Sequence, residues 1–464
     1  MKRKFPRAAI RIIIFWGIIT PAYAQTAPAL LQGGCAKVNI TPPLGIKLIG
    51  SYGKPSDDIL DELYVRVLIL DDGQTIVAVI SADLLYTPLE EITAPVRNII
   101  EKEIGIPQQN ILVCATHTHS GPEVFTCSKL PPKQARALGE IDRAYLRTLI
   151  HKIVGAVQIA FQNKEPVQIG VAKGRIPEIV FNRRTLDPNQ TAVMTWRVSP
   201  EEAETRKIQT NLDGYTSVSF TRSPKEPPVR FGPVDPELCV LRVEDAEGDI
   251  IGSIVNFGSH PVCVYPYLPT TISADYPGDT TCLIEQVEGG ICLFTLAPAG
   301  NLVPYQRGVK AHQQIGKALG AEALRRLQFV PTIAEVALQA LKKEIIFPAK
   351  RIPFPNKAKD NHETGPDTET QEYITTEIQV LRLGEIYLLG LPGEILVEIG
   401  LEIKRRAGLE KLFIVSLAND TVGYVCPRQA YAQGGYESGA GTHLAEGAGE
   451  IMIEKALELL NQIR

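Results

Sequence analysis

Several features that mark other classes of protein are missing from this sequence of 464 residues. The formal net charge is only −4, which gives no reason to expect a nucleic-acid partner. No two cysteines have the close C-x-x-C spacing of a zinc ribbon. No internal repeat or clean linker divides the chain, and no apolar run after the N-terminus is long enough to cross a bilayer. These absences favour one large globular domain.

The N-terminus has the composition of a secretory signal peptide. Basic residues at positions 2, 3, 4 and 7 precede a short apolar run over 12–19, and Ala22-Tyr23-Ala24 forms an A-x-A cleavage site. The run is too short to span a membrane, although an anchor that stays attached is the alternative. We therefore predict a signal peptide over 1–24. The mature domain, residues 25–464, would be exported to the periplasm or the medium without a transmembrane anchor.

All eight cysteines follow that cleavage site, at positions 35, 114, 127, 239, 263, 282, 292 and 426. Export permits disulfides, but their pairing cannot be read from the sequence. Several of the cysteines lie in apolar strand-like runs, where a buried free thiol is the favoured interpretation.

Strand-like and helical patterns alternate along the chain, which predicts an α/β fold with a layered mixed β-sheet core and flanking helices. Many of the strands are rich in Val, Ile and Leu without clean alternation, so we expect both of their faces to be buried. The predicted strands are 64–70, 75–80, 110–115, 168–172, 239–243, 250–257, 291–296, 377–383, 386–391 and 412–417. The predicted helices are 94–104, 134–163, 278–288, 308–328, 394–407 and 445–462. The stretches 199–236 and 348–374 lack periodicity and are interpreted as loops or inserted hairpins.

The most informative motif follows the apolar run 111–114 and reads Ala-Thr-His-Thr-His-Ser-Gly-Pro, with imidazoles at His117 and His119. Two residues spaced by two on a strand point to the same face, so we expect these rings to lie together. Alone, the pair is weak evidence for a metal, because paired histidines also occur as hydrogen-bonded core residues.

Three further metal-capable side chains follow predicted strands. His260 comes after strand 250–257, Glu394 after strand 386–391 where it would open a helix, and Tyr424 after strand 412–417. Each alone has an ordinary structural explanation, as a core histidine, a helix-terminal carboxylate or a packed tyrosine. Together with His117 they supply the imidazole and carboxylate donors that catalytic zinc sites use.

At these residues the sequence resembles the neutral/alkaline ceramidase family, zinc amidases that cleave the N-acyl bond of ceramide. The resemblance covers roughly residues 35–460 and includes the family's Thr-His-Thr-His-Ser-Gly-Pro, intact at 116–122. It implies that His117, His260, Glu394 and Tyr424 bind Zn²⁺, with Tyr424 five residues after Asn419 as in the family.

The same resemblance implies the residues around substrate. His119 would lie beside the metal, Tyr436 matches a second tyrosine that contacts substrate, and Arg183 matches an arginine that supports the substrate site. A solvated loop charge is the alternative for Arg183. We expect His119 and Arg183 to stabilise the oxyanion and Tyr424 or His119 to pass a proton to the leaving amine.

Two departures from the family pattern affect the expected function. Where the family has Gly-Asp-Val-Ser-Pro, this chain has Gly-Asn-Leu-Val-Pro at 300–304, and Val303 has neither a nucleophile nor a hydrogen-bonding group. A serine mechanism there is excluded, and ceramide itself as substrate is put in doubt. The family's C-terminal β-sandwich domain has no counterpart after helix 449–464, so a single catalytic domain is expected.

The resulting prediction is an exported zinc amidohydrolase in which zinc-bound water attacks an N-acyl amide, with a ceramide-like lipid as the first-guess substrate. A zinc hydrolase of a peptide, lactam or ester is the first alternative, and a non-catalytic binding protein on the same fold is the second. The sequence leaves the oligomeric state open. Asp83 and Asp275 also end strands and would either orient the ligating histidines or cap local turns.

Overall fold

The computed structural model describes residues 30–49, 54–124, 141–224, 226–350 and 373–464. The predicted signal peptide, Cys127 and most of the 348–374 stretch lie outside these ranges. Among the described helices, none has the length and apolar content needed to cross a membrane.

The described strands are β1 Gln32–Asn39, β2 Asp58–Ile59, β3 Tyr64–Asp71, β4 Ile76–Ala82, β5 Ile111–Ala115, β6 Glu165–Pro166, β7 Gln168–Arg175, β8 Val180–Asn182, β9 Arg184–Leu186, β10 Ala192–Met194, β11 Lys207–Thr210, β12 Thr216–Ser219, β13 Pro233–Val234, β14 Glu237–Glu244, β15 Ile250–Phe257, β16 Thr271–Ile272, β17 Ile291–Leu296, β18 Leu302–Pro304, β19 Leu338–Pro348, β20 Tyr373–Leu383, β21 Ile386–Gly390, β22 Glu394–Ile395, β23 Leu412–Val415 and β24 Tyr424–Val425. The described α-helices are α1 Ala94–Ile104, α2 Arg143–Gln162, α3 Pro200–Glu204, α4 Asp275–Glu288, α5 Val309–Leu327, α6 Val397–Ala407, α7 Arg428–Gln433 and α8 Ala448–Ile463.

Three larger sheets form the frame of the molecule. Their strand orders are β5-β4-β3-β1-β6, β17-β15-β14-β7 and β19-β20-β21-β23. Side chains from all three sheets meet in one apolar cluster, which includes Leu68 and Val79 of the first, Leu241 and Ile254 of the second, and Leu388 of the third. The sheets therefore pack around a shared centre, and helices cover their outer faces.

Strand β3 illustrates why the apolar runs do not alternate with polar residues. Leu68 and Leu70 point into the cluster shared by the three sheets, whereas Val65, Val67 and Ile69 pack in the cluster that contains the helices. A strand with helices on one side and a second sheet on the other is buried on both faces. The prediction of strands buried on both faces is confirmed.

Each of the three sheets contains one parallel pair among its described strands, namely β4 with β5, β15 with β17, and β21 with β23. The remaining pairings in these sheets are antiparallel. Parallel strands present their carboxyl ends at the same edge, where the connecting loops of α/β proteins carry binding and catalytic groups. All four predicted metal-binding residues come from loops or short strands that follow β5, β15, β21 and β23.

The predicted α/β class, every predicted strand and the helix over 94–104 are confirmed, with end shifts of a few residues in several elements. Two long strands were missed. β1 carries three small or thiol residues in Gly33, Gly34 and Cys35, and β19 carries Lys342 and Glu344 on its exposed face, with Lys343 between them, so neither strand has a continuous apolar run. The stretch 199–236 contains the short helix α3 and the hairpin β11–β12, as an inserted hairpin would.

A partly buried ion network attaches helix α6 to the second sheet. The Lys404 Nζ of α6 lies 2.6 Å from Glu237 Oε1 and 2.7 Å from Asp235 Oδ2, and Lys173 Nζ lies 2.9 Å from Glu237 Oε2. Burial alone would raise the pKa of Glu237, but the ammonium groups of Lys404 and Lys173 lower it to about 2. The ionised carboxylate is therefore part of what holds α6, the helix that follows Glu394.

This network predicts a specific loss of stability in acid. A carboxyl group whose folded-state pKa is depressed stabilises the fold above its unfolded pKa, near 4.5, and loses that contribution as the pH falls toward about 2. We expect the destabilisation caused by Glu237→Gln at pH 7 to shrink by about 2 kcal/mol at pH 3, measured by urea unfolding. Glu247→Gln, in an exposed turn, is the matched control. If the free energies of unfolding of wild type and Glu237→Gln differ by the same amount at pH 7 and pH 3, the stabilising role of the network is contradicted.

Candidate metal and catalytic site

The two histidines of the motif converge for a different reason from the one predicted. Strand β5 ends at Ala115, so His117 and His119 lie in the following loop and not on the strand. His117 has a φ of 73°, in the left-handed region that residues other than glycine rarely adopt. This turn brings the two ring centroids to 4.9 Å. Backbone strain of this kind is typical of functional sites, where the surrounding structure must hold it in place.

Backbone carbonyls orient two of the imidazoles. His117 Nδ1 lies 3.0 Å from Leu85 O, and His260 Nδ1 lies 2.7 Å from Ala299 O. Since a carbonyl oxygen can only accept, Nδ1 must carry the proton in each neutral ring. Nε2 is then the nitrogen with the free lone pair, and in both residues it faces Glu394.

Glu394 is held by a short strand and does not open a helix as predicted. Helix α6 begins at Val397, and Glu394 pairs with Tyr424 in the parallel bridge of β22 with β24. Gly393 makes this close approach possible, because it has a φ of 104° and a Cβ there would lie 2.6 Å from Gly423 O. The backbone pairing therefore sets the carboxylate and the phenol side by side.

The four residues predicted to hold a metal lie within contact distance of one another. Glu394 Oε2 is 3.3 Å from His117 Nε2 and 3.1 Å from His260 Nε2, and Tyr424 OH is 3.3 Å from His260 Nε2. His119 joins the group, since ligand atoms of His117, His119 and His260 all lie within 4.8 Å of one another.

The electrostatics favour the protonation states that bind metal. Burial lowers the pKa of His260 to about 4 and lowers that of His119 well below its ordinary 6.5, so both imidazoles are neutral at physiological pH. Burial alone would raise the pKa of Glu394, but the facing His117 and His260 hold it well below its ordinary value. Neutral imidazoles around an ionised carboxylate form the donor set of zinc sites.

The residues present fit a metal ion. The Nε2 atoms of His117 and His119 are buried and make no hydrogen bond of good geometry within the described part of the chain. A buried polar atom that makes no hydrogen bond lowers the stability of the folded state. Two such atoms within 4.8 Å of each other therefore require an explanation. A cation that accepts the lone pair of His117 Nε2 would account for the first, and His119 Nε2 would then lie beside the ion. His117, His260, Glu394 and Tyr424 would hold the ion, with His119 adjacent.

Arg183 lies beside this group and is not a solvated loop charge. Its Nη2 donates to Tyr424 OH at 3.0 Å and to Gly300 O at 2.9 Å, and its Nε donates to Glu437 Oε1 at 2.9 Å. The side chain is almost fully buried, and Tyr424 together with Glu437 raises its pKa against the effect of burial. The predicted position of Arg183 next to the cluster agrees with this geometry.

Tyr436 lies one residue before Glu437 and packs on Tyr424 with ring centroids 5.5 Å apart. It is about two-fifths exposed, so it faces outward from the buried cluster. This position agrees with the substrate-contact role expected of Tyr436, which stays a prediction.

Sequence reasoning missed two residues of the site. Tyr86 donates its hydroxyl to Glu394 Oε1 at 3.0 Å, and no motif pointed to it. Glu437 is fully buried and contacts both Arg183 and Arg184. Its place directly after Tyr436 was the one available signal.

Asp83 and Asp275 do not orient the histidines. Asp83 Oδ2 pairs with Arg66 at 2.9 Å and accepts from Tyr64 N, and Asp275 accepts from Val264 N and Tyr276 N. Local turns and ion pairs account for both, as in the alternative given above. Backbone carbonyls take the orienting role, because the loops after β4 and β17 pass directly beside the rings.

Val303 is fully buried on β18, where it pairs with Phe181 and packs in the largest apolar cluster. It offers no polar group at the position of the family serine. The seven described cysteines are free thiols, and five of them are buried, in agreement with the interpretation favoured above.

This mixed α/β protein gathers imidazoles, a carboxylate and a phenol at the ends of parallel strands, a set of donors that could hold a metal ion. The family described as neutral/alkaline non-lysosomal ceramidase, N-terminal, matches residues 32–294. The chain belongs to this family, which confirms the resemblance found in the sequence.

Solved structures agree on the fold. A crystal structure of neutral ceramidase from Pseudomonas aeruginosa superposes with a TM-score of 0.73 at 17% identity, covering 94% of this chain and 75% of that chain. A ceramidase complexed with C2 superposes with a TM-score of 0.70 at 17% identity over the same shares of the two chains.

We predict that the purified protein binds about one metal ion per chain, measured by plasma mass spectrometry. His117→Ala, His260→Ala and Glu394→Ala should each lose it, because each removes a donor from a small set. His151→Ala, an exposed histidine on α2, should keep it. Full metal content in any of the three site variants would show that the ligand set is wrong.

A second prediction concerns the buried carboxylate Glu437, whose oxygens lie 2.9 Å from Arg183 Nε and 3.4 Å from Arg184 Nη1. Glu437→Gln leaves two buried guanidinium groups without a counter-charge, so we expect the free energy of unfolding to fall by about 3 kcal/mol or more. Glu385→Gln, at an exposed position, is the control and should change stability little. A urea-unfolding curve for Glu437→Gln that overlays wild type would contradict this account.

Proposed function

We propose that this protein is an exported, zinc-dependent amidohydrolase that cleaves the N-acyl amide bond of a ceramide-like lipid. Membership of the ceramidase family supports the reaction class. The observation that carries the proposal is the pair of buried Nε2 atoms of His117 and His119, which make no hydrogen bond within the described residues and lie beside Glu394, Tyr424 and Arg183. A protein that only binds lipid has little need for such a set.

When bound by His117, His260, Glu394 and Tyr424, Zn²⁺ supplies Lewis acidity and lowers the pKa of a coordinated water to about 7. The chain's own residues supply positioning. The carbonyls of Leu85 and Ala299 fix the tautomer and direction of the two ligating rings, which keeps the donor atoms in place without reorganisation.

Arg183 is suited to stabilise negative charge on the amide oxygen. Glu437, Gly300 O and Tyr424 OH occupy Nε and Nη2, and no described residue accepts from Nη1. The orientation of the Arg183 side chain is already fixed by these three contacts. A hydrogen bond from Nη1 to the amide oxygen in the transition state therefore requires little reorganisation. The guanidinium stays charged, because its pKa is raised.

Tyr424 and His119 are the candidates to move a proton to the leaving amine. Tyr424 OH lies within 3.3 Å of His260 Nε2 and accepts from Arg183, and the Nε2 of His119 is buried and unpaired. An amide nitrogen must be protonated before it departs, and a general acid within hydrogen-bond reach supplies that proton. Of the two, His119 is the residue whose Nε2 makes no hydrogen bond to any residue that the structure describes.

The replacement of the family serine by Val303 bears on which substrates the protein accepts. Valine has no hydroxyl, and this side chain is buried in the apolar core, so position 303 offers substrate no hydrogen bond. A hydrolase acting on a peptide, lactam or ester bond, or a lipid-binding protein without turnover, would be compatible with this substitution, and the substrate panel below separates them.

The zinc-loaded protein should release amine from N-acylsphingosine in preference to a peptide, a lactam and an ester of the same acyl group. Arg183→Gln should lower kcat by roughly a hundredfold to a thousandfold with a smaller change in KM, as expected for the loss of an oxyanion donor. Arg230→Gln, in an exposed loop, is the matched control. Preferred cleavage of another bond would reassign the substrate, and no cleavage of any with metal bound would leave a binding protein.

A further inference from the structure

Three aromatic rings lead from the buried cluster to the surface. Tyr424 is 6% exposed, Tyr436 is 41% exposed and Trp196 is 44% exposed. The centroids of Tyr424 and Tyr436 lie 5.5 Å apart, and those of Tyr436 and Trp196 lie 5.6 Å apart. Trp196 therefore ends a continuous apolar wall whose inner end is a candidate metal ligand.

The site itself holds Trp196 in place. The guanidinium of Arg183 lies 5.1 Å from the centre of the indole ring, and the backbone N–H of Thr195 donates to Arg183 O at 2.8 Å. One side of the indole thus faces the catalytic arginine, while nearly half of the residue stays open to solvent. A large aromatic side chain that is oriented but left exposed beside a site is a common form of ligand contact.

We propose that Trp196 and Tyr436 form a subsite for a hydrocarbon arm of the substrate, and that Trp196 determines preference for long-chain amides. An amide whose carbonyl lies beside Arg183 would have one arm running outward along Tyr436 and Trp196. Each methylene that this arm removes from water contributes to binding, so the subsite discriminates by chain length.

A hydrocarbon fits this surface better than a sugar ring does. Sugar hydroxyls would need polar partners near the indole, and the neighbouring Glu437 has its two oxygens engaged by Arg183 and Arg184. The rings of Trp196 and Tyr436 meet edge to face, with an interplanar angle of 66°, which makes an angled apolar wall and not a flat stacking platform. Such a shape suits a flexible chain.

The sequence provides a direct probe of this subsite. Trp16 and Trp196 are the two tryptophans of the chain, so in the full chain carrying Trp16→Phe all indole fluorescence comes from Trp196. Titration with dodecanoate and dodecylamine should shift the emission to the blue for whichever arm uses the subsite, while acetate and ethylamine leave it unchanged. A blue shift with dodecanoate assigns the acyl arm, and one with dodecylamine assigns the amine arm. Unchanged emission with both long-chain probes would overturn the proposal.

Enzyme kinetics supply the second test, and this test rests on the proposed amidohydrolase function. For Trp196→Ala, the ratio of kcat/KM on a dodecanoyl amide to that on an acetyl amide should fall by roughly tenfold to fiftyfold if the acyl arm is bound. If the amine arm is bound, the same fall is expected in the ratio of kcat/KM on an amide of a long-chain amine to that on an amide of a short-chain amine. Trp196→Phe should recover part of it, and Phe329→Ala, an exposed aromatic after α5, is the matched control.

The outcomes separate the two proposals. If Trp196 serves only to position Arg183, both amides lose rate together, the ratio stays constant, and the subsite is refuted while the amidase survives. If no amide is cleaved but the fluorescence responds to chain length, the subsite stands and the proposed reaction fails.

Discussion

The site depends on the backbone hydrogen bonds that join the ends of the three parallel strand pairs. Ser416 N, just after β23, donates to Leu296 O at the end of β17, and Asn419 N donates to Val113 O on β5 at 2.6 Å. These bonds connect the three sheets at one place. The loops that follow the strands must then meet there, which is why donors far apart in the chain surround one point. A frame of backbone pairing gives a metal site the rigidity that loops alone do not provide.

Several charged groups of the interior are paired with opposite charges. Arg183 and Arg184 share the buried Glu437, and the partly buried Lys404 contacts Asp235 and Glu237, so these charges are compensated within the protein. The imidazoles are different, because burial keeps His119 and His260 neutral, and the Nε2 atoms of His117 and His119 make no hydrogen bond within the described residues. The paired charges stabilise the three sheets, whereas the Nε2 atoms of His117 and His119 mark the candidate functional site.

Much of the frame was predictable from the sequence, because β-rich apolar runs and amphipathic helices are local signals. The motif at 116–122 and the position of Glu394 directly after a predicted strand were also local signals, which is why His117, His119 and Glu394 could be selected as candidates. The reasons given for their placement were less accurate. A left-handed turn at His117 and a two-residue strand at Glu394 do the positioning, and neither conformation has a signal strong enough to read in the sequence.

The sequence by itself determined the fold class, the order of the strands along the chain and the types of donor at the strand ends, since these depend on residue identity and short-range periodicity. Only the tertiary structure decided that Tyr86 reaches Glu394, that Glu437 supports Arg183 and that Trp196 stands at the outer end of the aromatic wall. Those contacts join residues up to 308 positions apart. They follow from how the three sheets pack, a property of the whole chain that no local segment encodes.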